Sequence, residues 1–272
     1  MITAPFTYQR ALSVDEALEL AAAGGEEAKF LAGGHSLLPL MKLRLAVPEV
    51  LIDIGRLTEL SYVRDAGSHI AIGALTSHNE VARSGFLAAE LPLLAHAAGQ
   101  VGDPQVRHRG TIGGSLAHGD PAADLPAVIR ALDATLVARG PAGRRDIPAG
   151  EFFRDLFETA LAPGELLTEI RIARPVAAGW SFQKFSKRGI DWAIVGVAVQ
   201  GDNVALVNMA STPVRAAAVE RALAAGASPA EAAAHAADGT TAPADLNGSR
   251  GYREHLARVL VGRALAESRS RD

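Results

Sequence analysis

Cysteine does not occur anywhere in the 272 residues, and that one absence removes whole classes of chemistry. Without a thiol there is no disulfide, no thiolate nucleophile, no zinc knuckle and no cysteine-ligated iron–sulfur cluster in this chain. Any redox chemistry then needs an organic cofactor, or a centre on a partner. Charge of one sign is also scarce: 27 Lys and Arg against 30 Asp and Glu give a net charge of −3. That leaves no electrostatic footprint for nucleic acid or an anionic membrane. No apolar run reaches the roughly 18 residues that a membrane span requires. The start, Met1-Ile-Thr-Ala-Pro-Phe6, lacks the basic and apolar segments of a secretory signal. A cytoplasmic protein with no membrane span and no nucleic-acid partner is expected. Two nucleotide signatures are missing as well: no G-x-G-x-x-G opens a helix, and no G-x-x-x-x-G-K-S/T is present. A Rossmann NAD site or a P-loop NTPase is therefore disfavoured.

What is present is a globular composition, 49% hydrophobic and 21% charged, in a chain long enough for one large domain or two to three small ones. The apolar run Lys29 to Ala32 breaks into Gly33-Gly34, and a helical segment, Leu37 to Leu45, follows. A strand feeding a glycine turn and then a helix gathers backbone N–H groups in a small concavity, a geometry that suits phosphate. Gly113-Gly114-Ser115 repeats the theme later in the chain. Two such loops, with hydroxyls at Ser36, Thr111 and Ser115, can clamp one diphosphate. Each charge-assisted hydrogen bond would contribute roughly 1.5–3 kcal/mol. On residues alone this is either a dinucleotide site of non-Rossmann type or two unrelated tight turns.

Around these loops the chain reads as a mixture of strands and helices. Ser13-Val-Asp-Glu16 is a capping box for a helix from Val14 to Ala23, stopped by Gly24-Gly25. With a strand at Val50 to Ile54, residues 1 to about 55 form a small α/β lobe. A hairpin is expected from Leu60–Arg64 and His69–Gly73, helices at about 77–83, Pro92–Ala98 and Ala123–Leu132, and strands at Ala134–Ala138 and Leu166–Ala173. Thr111 to Asp124, with three glycines and Pro121, reads as loop, and Glu151 to Glu158 as a short helix. Pro175 and the residues after it read as a linker. Beyond it, Trp180–Lys187, Asp191–Gln200 and Val204–Ala210 form a three-stranded meander. Helices over Val214–Ala225, Pro229–Ala237 and Arg250–Glu267 then close the chain, the last with Leu256, Val259, Leu260 and Ala264 on one face. The expected domains are 1–176, in lobes of about 1–55 and 56–176, and 177–272.

These motifs together carry a family resemblance. Ala32-Gly-Gly-His-Ser-Leu-Leu-Pro39, Met41-Lys-Leu-Arg-Leu45, Pro48 to Ile54 and Thr111-Ile-Gly-Gly-Ser-Leu-Ala-His-Gly-Asp-Pro-Ala-Ala-Asp-Leu-Pro126 resemble the FAD-binding medium subunit of molybdenum hydroxylases, in particular that of the aerobic carbon monoxide dehydrogenase group. Thr212-Pro-Val-Arg-Ala216 and Tyr252 to Ala257 resemble its C-terminal part. The resemblance implies an α+β fold. It would comprise a two-lobed FAD domain of the vanillyl-alcohol-oxidase (PCMH) type and a C-terminal domain of a three-stranded antiparallel sheet with a helical bundle. It implies FAD held by Ala32, Gly33, Gly34, His35, Ser36 and Leu37 and by Thr111, Ile112, Gly113, Gly114, Ser115 and Ala117, with Asp124, Leu166 and Lys184 also at the cofactor. It further implies a large partner with a molybdenum cofactor and a small partner with 2Fe–2S clusters, assembled as a dimer of heterotrimers. Electrons would pass through FAD to an external acceptor. No residue is expected to be a catalytic acid or base, or a metal ligand.

Single residues carry bland readings too. His35 is expected to act through its backbone more than its ring. His108, His118, Asp120 and Asp124 match no zinc spacing. Asp124 doubles as a helix N-cap candidate. Arg107 and Arg109 read as solvated or partner-facing charges, and Trp192 as either core or flavin neighbour. A free-standing FAD oxidase or reductase, and a nucleotide-binding assembly module, are the rival readings. The substrate, whether carbon monoxide, an aldehyde or an N-heterocycle, is not written in this chain.

Overall fold

The computed structural model describes residues 2–174 and 178–271, so the linker and domain boundary expected at 175–177 lie outside the described residues. The first lobe is a parallel three-stranded sheet in which Val50–Asp53 lies between Thr7–Arg10 and Ala28–Leu31. The helix Val14–Gly24 lays Val14, Ala17 and Ala21 against it. Ser13 caps that helix by accepting from the Glu16 N–H, but Glu16 accepts from the Leu12 N–H at 2.7 Å. The reciprocal bond of a capping box goes to the Ser13 N–H, so the expected box is only half formed.

The second lobe is an antiparallel sheet ordered Val63–Asp65, His69–Gly73, Leu166–Ala173, Thr135–Gly140, Gly143–Pro148, with helices over one face. Its core joins Ile70, Ile72, Ile170 and Ile172 to Leu94, Leu116, Leu125 and Ile129 from those helices. Two expectations change here. Thr111 to Asp124 is loop only over 119–123: Ile112–His118 is a helix, capped by Thr111 and ended by Gly119 in the left-handed conformation. Glu151 to Glu158 is not a helix; the single turn Ala149–Phe152 leads into a small hairpin of Phe153–Asp155 and Glu158–Thr159. The helices Gly85–Glu90 and Pro104–Arg109 and the charged edge strand Gly143–Pro148 were not foreseen.

The C-terminal sheet has four strands rather than three: Trp180–Phe185, Val195–Gln200, Asn203–Val207 and Val214–Arg215. The fourth takes the first residues of a segment expected to be wholly helical, and the helix begins at Ala217. Successive side chains of a strand point to opposite faces, and both faces of this sheet are covered. Phe182, Ala198, Ala205 and Val207 join the core of the second lobe, while Val195, Val197, Val199, Val204 and Leu206 pack on the C-terminal helices. Burial on two sides explains the near-continuous apolar runs of these strands. The 20-residue helix Arg250–Arg269 packs Leu256, Ala257, Leu260, Val261, Ala264 and Leu265 inward, with Val259 at the margin. Asn203 and Arg215 bolt the sheet to the lobe below, donating to the carbonyls of Ala131 and Arg130 and to Asp133.

Candidate functional site

A cavity of about 1000 Å³ opens where the two lobes and the C-terminal sheet converge. Its first wall is the Gly33–Leu37 turn, reached as the strand Ala28–Leu31 ends. A Cβ on Gly33 would drive into the Arg109 carbonyl and come within 2.8 Å of the Gly110 Cα. Gly34 has φ +78°, in the left-handed region that glycine alone enters freely. Among the described residues, the backbone N–H groups of Gly33, Gly34, His35, Ser36 and Leu37 donate no hydrogen bond within the protein. Ser36 begins the helix Leu37–Lys42 without a side-chain capping bond. Five successive unpartnered donors on a cavity wall suit an anion with several acceptor oxygens.

The second wall, Thr111 to Ala117, is built differently. Ile112 N–H donates to Thr76 O, Gly113 N–H to Ala74 O at 2.8 Å, Gly114 N–H to Thr111 Oγ1 at 3.1 Å and Ser115 N–H to Thr111 O. The backbone donors expected from Ile112 to Ser115 are thus already committed, and this jaw offers shape and hydroxyls instead. Gly113 is needed because a Cβ would lie 2.5 Å from the Ala74 Cβ. A Cβ on Gly114 would lie 3.8 Å from that of Ala32, so the jaws face one another. Ile112 does not reach the cavity; it is fully buried in the lobe core. The other residues expected at the site, Ala32 to Leu37, Thr111, Gly113, Gly114, Ser115, Ala117, Asp124, Leu166 and Lys184, all line it.

Asp124, at the start of the helix Asp124–Ala131, and Lys184, on the strand Trp180–Phe185, meet with Nζ 2.7 Å from Oδ2 and 3.3 Å from the Gln100 carbonyl. Both side chains are almost fully buried. Burial pushes the Asp124 carboxyl up to about 6, against the pull of Lys184. Its second oxygen, Oδ1, is buried without a hydrogen-bond partner, in a residue that lines the cavity. Asp124 does not cap its helix; Ala123 stands at the N-cap.

The rim carries residues that sequence reasoning missed or left open. Trp192 is 59% exposed and is not core, and Ile190 and Phe157 beside the cavity are similarly exposed. Arg107 is partly buried, and its guanidinium donates to the Val101 carbonyl at 2.6 Å. His78, Gly102 and Gly110 line the cavity without having been singled out. The one available signal was Asp103-Pro104, an N-cap followed by proline at the first helical position, which marks the Pro104–Arg109 helix leading into Gly110.

The family described as "FAD binding domain in molybdopterin dehydrogenase" matches residues 4–175, and the CO dehydrogenase flavoprotein C-terminal domain matches residues 180–268. The chain belongs to the FAD-binding family of the molybdopterin dehydrogenases. It is 45% identical over 279 aligned positions to the carbon monoxide dehydrogenase medium chain of Hydrogenophaga pseudoflava, covering 97% of each. It is 40% identical to the 6-hydroxypseudooxynicotine dehydrogenase complex subunit alpha of Paenarthrobacter nicotinovorans, covering 97% of this chain and 94% of that one. A solved carbon monoxide dehydrogenase of Hydrogenophaga pseudoflava, lacking the Mo-pyranopterin moiety, superimposes with a TM-score of 0.96 at 44% identity, covering 100% of this chain and 99% of that one. A quinoline 2-oxidoreductase of Pseudomonas putida gives 0.92 at 30% identity, covering 99% of each.

Proposed function

We propose that this chain is the FAD-carrying electron-transfer subunit of a heteromeric molybdenum hydroxylase. It takes electrons from 2Fe–2S clusters on a small partner and passes them to an external acceptor, while a large partner holds the molybdenum cofactor. The observation that carries the reading is the cavity itself, with five unpartnered N–H groups on one jaw and the unpartnered Oδ1 of Asp124 in its wall. Such groups are ready hydrogen-bond partners, and FAD has a diphosphate and hydroxyls to match them. The Gly33–Leu37 jaw would hold the diphosphate. Ser115, Ala117, Leu166 and the Lys184–Asp124 pair would shape and polarise the rest of the site, with Trp192 at its mouth. Bound FAD supplies the electron exchange; the protein's share is binding, orientation and exclusion of water.

A chain without cysteine cannot ligate the clusters, which assigns them to a partner. The related chains are named for carbon monoxide, 6-hydroxypseudooxynicotine and caffeine dehydrogenases, which supports a substrate chosen on the large subunit. Residues 1–176 would form the FAD domain of the vanillyl-alcohol-oxidase type and 177–272 a C-terminal flavoprotein domain, in a dimer of heterotrimers. No helix among the described residues is long and apolar enough to cross a membrane, in keeping with work in the cytoplasm. Affinity purification from the native host tests the whole reading. The expected product is a complex with a large and a small subunit and one FAD per chain. A chain that purifies alone with full substrate turnover would overturn it.

A further inference from the structure

His78 lies in the cavity wall with no task in the reading above. It opens the helix His78–Arg83, is 4% exposed, and donates its backbone N–H to Gly110 O at 2.9 Å. The ring packs against Gly110, where a Cβ would come within 2.9 Å of its Cδ2 and 3.1 Å of its Nε2. Gly110 is also the residue that Gly33 closes upon, so the ring stands directly behind the seam between the two jaws. Nδ1 is buried and has no hydrogen-bond partner. Buried polar atoms in native proteins are nearly always satisfied, and an exception asks for an explanation.

The groups that bear on the ring are His35, from the first jaw, and Arg107, from the helix Pro104–Arg109. Both are cationic or able to become so. Burial first, and then these two neighbours, push the His78 ring down to about 4, so at neutral pH it is uncharged in a setting that already favours negative charge. Of the two lysines in the cavity wall, Lys184 is committed to Asp124, and Lys29 lies on the strand before the jaw. The helix Pro104–Arg109, which ends at the seam, carries Arg107, His108 and Arg109 in its last turn.

We infer that His78 is a cofactor-binding residue that takes up a proton when the diphosphate of FAD enters the cavity, supplying positive charge behind the seam of the jaws. The inference rests on the reading that the diphosphate lies on Gly33–Leu37. Its consequence follows from linkage: the bound state holds more protons than the free state, so affinity for FAD rises as pH falls. The slope approaches tenfold per pH unit between the free and bound values of the ring.

The test uses the assembled complex depleted of FAD, titrated with FAD by calorimetry between about pH 6 and 7.5 in two buffers of different protonation enthalpy. Wild type is expected to take up close to one proton per FAD from His78 near pH 6, falling to about a quarter of a proton by pH 7.5. ADP-ribose, whose diphosphate is esterified at both ends as in FAD but carries no flavin, should show the same uptake, and riboflavin none. His78→Gln and His78→Leu should lose that proton and flatten the pH slope, with FAD bound about tenfold more weakly near pH 6. His78→Leu fills the site without a buried ring nitrogen, so its Tm should not fall, which separates a binding defect from a folding one. His35→Gln should keep the proton that belongs to His78. Absence of proton uptake by wild type, or wild-type affinity and uptake in His78→Leu, overturns the inference while leaving FAD binding intact. A wild-type complex that binds no FAD overturns the cofactor reading, and this inference with it.

Discussion

At Gly33-Gly34 the chain leaves a strand, and five successive N–H groups find no partner in the protein; at Gly113-Gly114 it enters a helix whose first N–H groups are all taken. The two pairs read alike in sequence, yet only the first is an open set of donors. What they share is crowding. Gly33 is pressed against the Arg109–Gly110 backbone and Gly113 against Ala74. In both jaws one glycine is demanded by the protein's approach to itself, not by a ligand. A glycine pair is therefore a sign of tight packing first, and only the state of its N–H groups says whether anything is meant to bind there.

The largest effects should come from the crowded glycines. Gly33→Ala and Gly113→Ala each force a methyl into a neighbouring backbone or a buried side chain, and overpacking of this kind costs roughly 1–3 kcal/mol. Thermal unfolding and flavin absorbance of the purified complex should show a lower Tm and loss of bound FAD for both. A Gly113→Ala variant with wild-type Tm would break the claim that packing sets this glycine. Across the cavity, Asp124 gives a pH signature. Its carboxyl sits near 6 when folded, against an ordinary value of 3.8. Between these values the folded chain keeps a proton that the unfolded chain has released. Its contribution is full below about pH 4, falls by roughly 2–3 kcal/mol as pH rises to about 6, and is flat above. Unfolding of wild type and Asp124→Asn across pH 4–7 measures it; parallel curves would show that the carboxyl is not buried as described.

The first jaw was legible because its signals are local: an apolar run, two glycines, then helical periodicity. The second was read as loop because Gly113, Gly114 and Gly119 are poor helix formers. Packing of Gly113 on Ala74 and the Thr111 cap override that preference, and neither is visible without the fold. The edge strand Gly143–Pro148 was hidden by its exposed, charged Arg144, Arg145 and Asp146, which leave no alternation to detect. Asp124, Leu166 and Lys184 were placed through family resemblance, and the structure brings them to one cavity from three separate elements. His78 carried no signal, since a histidine after a capping serine looks like an ordinary helix start; its unpartnered ring nitrogen exists only in three dimensions.

Two hydroxyls set the difference between the jaws on the smallest scale. Thr111 Oγ1 accepts from Gly114 N–H and caps a helix, whereas Ser36, at the corresponding place in the first jaw, makes no side-chain cap. Loss of such a cap costs about 1 kcal/mol, so Thr111→Ala should lower stability by that amount and Thr111→Ser should restore it. Ser36→Ala should leave the stability of the FAD-free complex within about 0.5 kcal/mol of wild type. Its effect should fall on the cofactor: a hydroxyl with no partner in the protein is free to serve FAD, and a lost hydrogen bond to a charged group is worth roughly 1.5–3 kcal/mol, about ten- to a hundredfold in Kd. Denaturant unfolding without FAD, paired with FAD titration, separates the two outcomes. If Ser36→Ala weakens the fold and not the binding, the first jaw is a structural turn like the second, and the distinction between them fails.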